Sequence, residues 1–209
     1  MTTAVPSSPP AQPAASQPQP SHWRRYGTLY LLITLCVAPV VASYLLYYAA
    51  PPSGRTNYGE LVPQQPMPPL TLKLQDGTAY DPKQLLGQWV MLHVDGAACA
   101  DACKNKLWQM RQLRAAQGKN SDRIERVFLV VDAEPLETML LREYDGTHFL
   151  RASRAELERF LQPQPGARLE DHVYMIDPIG NLMMRWPKDA DPNRMKRDIS
   201  RLLKASRIG

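Results

Sequence analysis

From Gly27 to Ala50 the chain runs 24 residues without a charged side chain, "GTLYLLITLCVAPVVASYLLYYAA". At ~1.5 Å per residue a helix of that length crosses the about 30 Å hydrocarbon core of a bilayer. A secretory signal peptide has a shorter apolar region, and here a long Pro-rich segment comes first, so the run reads as a retained transmembrane helix over 27–50. Trp23 and Tyr26 on one side, and Tyr44, Tyr47 and Tyr48 on the other, suit the two membrane interfaces. Pro39 kinks such a helix without forbidding it. Arg24 and Arg25 flank the N-terminal end, and only Arg55 follows soon after the other. That asymmetry places residues 1–26 in the cytoplasm and exports everything beyond the helix. For a bacterial inner membrane the exported side is the periplasm, an oxidising space.

The flanks of the helix carry little folding information. Residues 1–21 hold no charge and are mostly Pro, Ala, Ser and Gln, too few apolar groups to offset chain entropy, so 1–26 reads as a disordered tail. Residues 51–69, "PPSGRTNYGELVPQQPMPP", read as a Pro-rich linker, leaving 70–209 as the folded domain. All 20 acidic residues and 23 of the 25 basic ones lie beyond residue 50, a net charge there of only +3. With no Arg/Lys cluster interleaved with aromatics, nucleic acid is excluded as a partner.

Along the domain, "LTLKLQDGTAY" predicts a β-hairpin turning at Asp76-Gly77, and "WVMLHV" a buried strand. Leu107, Met110, Leu113 and Arg114 recur at helical spacing up to a stop at Gly118, and "RVFLVVD" is a second buried strand. "EPLETMLLREY" and "SRAELERFL" predict helical turns, the latter capped by Ser153 with Glu156 three residues on. "HVYMIDPIGNLMMRWP" predicts a hairpin turning over 177–180. "DPNRMKRDISRLLKAS" is a closing helix, with Asp191 to cap it and Pro192 in its first turn. Hairpin, βαβ, helical segment, hairpin, helix is an α/β order: a thioredoxin-like domain with an N-terminal β-hairpin, preceded by one transmembrane helix.

Two of the three cysteines, Cys99 and Cys103, stand four apart where the first buried strand gives way to the helix. If both fall on the helix's first turns, their sulfurs share one face. The helix dipole then favours the thiolates, which are the nucleophilic and metal-binding forms. The pair can form a disulfide or chelate one soft metal: two thiolates suit Cu(I), and an added imidazole makes a site that also holds Cu(II). Zinc is disfavoured because no second cysteine pair completes four ligands. A purely structural disulfide this short removes little chain entropy. Cys36, inside the membrane run, reads as an apolar filler.

The stretches "WVMLHVDGAACADACKNKLWQM", "FLVVD" and "DHVYMIDPIGNLM" resemble the Sco/SenC family over roughly residues 60–205. The resemblance implies a membrane-anchored, thioredoxin-like factor for cytochrome c oxidase assembly. Copper would sit on Cys99, Cys103 and His172, and the partner would be oxidase subunit II or another copper chaperone. Two features depart from the family pattern. Ala100 stands where the family has Pro after the first cysteine, and His172 lies closer to the "DP-x-G" turn than the family histidine does. His172 reads equally as a ligand or as a satisfied structural histidine. His93 reads as a packed strand residue, His148 as a loop residue, His22 as interfacial, and Asp101 as a helix-start residue favoured by the dipole. Trp108, Met110, Met183 and Met184 read as core.

Three functions remain open from sequence. The first is a metallochaperone that passes copper to an oxidase subunit. The second is a thiol–disulfide oxidoreductase that keeps the acceptor's cysteines reduced, with Cys99 attacking and Cys103 resolving. The third is an assembly scaffold with idle cysteines.

Overall fold

The computed structural model describes residues 22–49, 57–206 and 208, in two compact units divided after Gly54. The disordered-tail reading of 1–26 falls outside the described residues over 1–21, as does the first part of the linker, whereas residues 22–26, read as the end of the tail, are helical and continuous with the apolar run. In the first unit, helix α1 (His22–Ala49) contains Tyr26–Ala49, one segment long and apolar enough to cross a membrane, with Pro39 inside it. Cys36 lies exposed and unpaired on this helix.

The second unit is built on one mixed sheet. Its strands are β1 (Glu60–Pro66), β2 (Leu72–Lys73), β3 (Ala79–Tyr80), β4 (Trp89–Asp95), β5 (Ile124–Val130), β6 (His148–Arg151), β7 (Val173–Ile176) and β8 (Asn181–Trp186). Their order across the sheet is β1-β8-β7-β4-β5-β6-β2-β3. The central pair β4–β5 is parallel, as is β5–β6, while β7 runs antiparallel to β4 and β8 antiparallel to β7. Parallel neighbours need a crossover, which α2 (Asp101–Ala115) supplies between β4 and β5. The remaining helices are α3 (Thr138–Glu143), α4 (Arg154–Leu161) and α5 (Pro192–Ala205).

Alternation along β4 sorts its side chains into two apolar layers. Trp89 and Met91 pack with Phe128, Met175 and Trp186 under Leu107, Met110 and Leu113 of α2 and Met195, Ile199 and Leu203 of α5. Val90, Leu92 and Val94 pack on the other face with Leu129, Tyr174 and Leu182 under Leu157, Phe160 and Leu161 of α4. The helices therefore cover both faces of the sheet.

Most predicted elements are found. The β2–β3 hairpin turns where Thr78 N donates to Asp76 Oδ1 at 2.8 Å and Gly77 adopts φ +88°. Asp191 caps α5 by accepting from Asn193 N at 2.9 Å, with Pro192 at its start. Four details differ. Residues 60–66, read as linker, form β1 on the sheet edge, where prolines are tolerated because half of an edge strand's N–H groups need no partner. Arg185 fixes that edge by donating through Nε and Nη2 to Glu60 Oε2 at 3.1 and 3.0 Å. Ser153 stands at the α4 N-cap without a side-chain capping bond, and Glu156 instead accepts from Thr71 N at 3.0 Å. His148 lies on β6 rather than in a loop, its Nε2 at 3.3 Å from Glu125 Oε2. Trp108, read as core, is about half exposed on α2 (48%), whereas Met110 and Met184 are buried.

Candidate functional site

The site forms where β4 ends and α2 begins. Gly96 and Ala97 turn the chain out of the sheet, and Asp132, just beyond β5, holds that turn: Ala97 N donates to its carboxylate oxygens at 3.0 and 3.2 Å. A side chain at position 96 would put its Cβ 2.6 Å from Asp132 Oδ2, so only glycine lets the carboxylate lie this close. Cys99 follows with φ +34°, a left-handed conformation costly for a residue with a side chain. Ala100 is the N-cap and provides no capping side chain. Cys99 thus precedes the helix, and Cys103 sits on its first turn. The expectation that both lie on the helix is corrected; the expectation that the sulfurs meet is fulfilled.

The two sulfurs are joined in a disulfide, with Cα atoms 5.1 Å apart. Both cysteines are only about 2% exposed. The four-residue spacing brings the sulfurs together, and the uncapped helix start favours their thiolates once the bond is reduced.

Beneath the pair lies a histidine that periodicity alone marks as core. His93 is fully buried on β4, on the same sheet face as the cysteines, with its ring stacked on Phe128 at 5.8 Å between centroids. Its Nδ1 lies 3.1 Å from the carbonyl oxygen of His172. A carbonyl only accepts, so Nδ1 carries the proton and Nε2 presents a bare lone pair. That Nε2 has no hydrogen-bond partner. Burial pushes the His93 imidazole down to about 4, which keeps it neutral. A ring nitrogen of His93, a carboxylate oxygen of Asp95 and Sγ of Cys103 all lie within 4.8 Å of one another. Asp95 Oδ2 is 3.9 Å from Nε2 and is half-buried, its carboxyl pushed up by burial.

His172 is placed differently. It is fully buried, donates from Nδ1 to Trp186 O at 2.8 Å, and accepts at Nε2 from Gln164 N at 3.3 Å. Both ring nitrogens are thus occupied, and the ring belongs to no ligand cluster among the described residues. The imidazole brought to the cysteine pair is His93, and His172 contributes the carbonyl that orients it. Sequence reasoning had no signal for this beyond one polar residue in an otherwise apolar strand. Asp132 and Asp95 were missed because their roles depend on the β4–α2 turn. Lys106, one turn after Cys103, is largely buried beside the site, its ammonium pushed down by burial and held up by Asp171, Asp189 and Asp95.

Fold and site together define a thioredoxin-like domain bearing a disulfide where a central strand passes into a helix. The family described as "Transmembrane-like, thioredoxin-like, C-terminal domain" matches residues 89–206, and the chain belongs to it. No curated protein matches the sequence. Among solved structures, yeast Sco1 with copper bound is 17% identical with a TM-score of 0.51, covering 73% of this chain and 96% of that one. Apo Sco1 from Thermus thermophilus is 17% identical with a TM-score of 0.51, covering 73% and 98%. A putative electron transfer protein from Aquifex aeolicus VF5 is 16% identical with a TM-score of 0.52, covering 68% and 95%. The resemblance to Sco proteins seen in the sequence is thus matched by a shared fold.

Proposed function

We propose that this chain is a membrane-anchored copper-binding factor of the periplasm that helps metallate the copper site of cytochrome c oxidase. The observation that carries the reading is the sulfur pair itself: Cys99 and Cys103 are brought together at a helix start, on a fold shared with a copper-bound Sco1. Copper is cargo here, and oxidase subunit II or another copper chaperone is its source or destination. The residues fit a soft cation. Reduction frees two thiolates that the helix start favours, and the bare, buried nitrogen of His93 beside them has no protein hydrogen to accept. The disulfide is then the resting, unloaded form, and a two-electron reduction opens the site.

The purified, reduced full-length protein in detergent, titrated with Cu(I) against a competing chelator, is expected to take up one equivalent. A Cys99→Ser/Cys103→Ser variant is expected to lose that uptake. Equal uptake by the variant, or none by the wild type, ends the copper reading.

The disulfide also favours a second reading, a thiol–disulfide oxidoreductase that reduces the acceptor's cysteines. In that case Cys103→Ser traps a partner through a mixed disulfide on Cys99, and Cys99→Ser does not.

A further inference from the structure

We infer that His93, through Nε2, is the third ligand of the metal site formed by Cys99 and Cys103, and that His172 is a positioning residue acting through its backbone. This inference rests on the copper-binding reading above and names the nitrogen of the same site. Three independent observations converge on it. The first is placement: a ring nitrogen of His93, Sγ of Cys103 and a carboxylate oxygen of Asp95 lie within 4.8 Å of one another, and Nε2 is the ring nitrogen left without a hydrogen bond. The second is the tautomer. The His172 carbonyl takes the Nδ1 proton at 3.1 Å, the arrangement by which an outer partner fixes a ligating histidine and raises its basicity. The third is an electrostatic mismatch. The lone pair of Nε2, buried and without a hydrogen-bond partner, faces a carboxylate oxygen 3.9 Å away, a pairing that a bound cation relieves.

His172 meets none of these conditions. Its Nδ1 proton is given to Trp186 O and its Nε2 accepts from Gln164 N, so ligation there would break a part-buried hydrogen bond from the backbone. A chain of three groups then sets the site: Trp186 O holds the His172 ring, His172 O takes the Nδ1 proton of His93, and Nε2 is left as the His93 nitrogen open to a metal.

The binding step balances simply. An external thiol or phosphine reductant supplies two electrons and the disulfide becomes two thiols. Cu(I) then displaces the two thiol protons and accepts the neutral Nε2 lone pair, with no further electron transfer.

The test uses full-length protein in detergent, labelled with ¹⁵N-histidine, reduced, and compared before and after one equivalent of Cu(I). The expected result is a shift of the His93 Nε2 resonance away from that of a bare imine nitrogen, with Nδ1 still protonated and both His172 nitrogens unmoved. A His93→Gln variant is expected to bind Cu(I) roughly a hundredfold more weakly. A His172→Gln variant that remains folded is expected to keep a nitrogen ligand, with a smaller loss. Cu(I) bound with the His93 nitrogens unmoved, or with His172 Nε2 shifted instead, overturns the inference and leaves the copper reading standing. Failure of the wild type to take up Cu(I) removes both. Because the nitrogen measurement is made on the wild type, it holds even if a His93 variant does not fold.

Discussion

His93 and His172 are both fully buried, stand at the junction of β4 and β7, and have their Nδ1 protons held by backbone carbonyls. Burial depresses both imidazoles, His93 to about 4. In the unfolded chain each returns to its ordinary value of 6.5, so the unfolded state binds more protons across that interval. Their contribution is full above 6.5 and is lost as pH falls from there towards 4. For His93 alone the loss is at most about 3 kcal/mol. The metal-free, oxidised protein should therefore show its urea midpoint falling between neutrality and pH about 5, with a shallower fall in His93→Gln. Parallel curves for the two proteins would show that His93 titrates normally in the fold. Gly96 acts beside these histidines by letting Asp132 close on the turn. Gly96→Ala must push the carboxylate away, and is expected to destabilise the fold by about 1–2 kcal/mol in urea unfolding.

At the scale of elements, the edge strand β1 and the closing helix α5 are joined through one carboxylate. Asp198 of α5 is 1% exposed and accepts from Gly59 N at 2.8 Å, Tyr58 N at 3.1 Å and Trp186 Nε1 at 3.2 Å. Asp198→Ala would leave two buried donors and one part-buried donor unmet and cost about 2–4 kcal/mol, read as a lower urea midpoint. A change under about 0.5 kcal/mol would show that water replaces the carboxylate without loss. This contact explains what the sequence left illegible. The elements themselves were readable, because alternation in "WVMLHV" and the 3.6 period of Leu107, Met110 and Leu113 reflect burial on one face. Strand β1 was not, because Pro63, Pro66 and flanking polar residues look like linker until Arg185 and Asp198 secure them. The same limit applies at the site. The cysteines declare themselves by spacing, whereas the choice between His93 and His172 depends on pairing between strands far apart in sequence, where His93 lies opposite Val173.

At the scale of the whole chain, the apolar helix α1 and the cysteine pair each bear on the compartment. An oxidising compartment keeps the Cys99–Cys103 bond formed, and Arg24 and Arg25, in the first turn of α1 ahead of its apolar span, favour export of everything after it. The two arguments are independent, one from redox chemistry and one from charge asymmetry across a 24-residue apolar span. Together they predict that the full chain, expressed in a bacterium, sediments with membranes and resists alkaline carbonate. Its cysteine pair should be oxidised when thiols are trapped in acid. A chain starting at residue 57 should stay in the cytoplasm, be soluble, and be trapped with both thiols free. Because both cysteines are about 2% exposed, those free thiols should react with a bulky maleimide much more slowly in the native state than in urea. An oxidised pair in the cytoplasmic form would mean that the fold, not the compartment, drives the bond. A full-length chain with free thiols at the membrane would put the domain on the reducing side, where the proposed partner is absent.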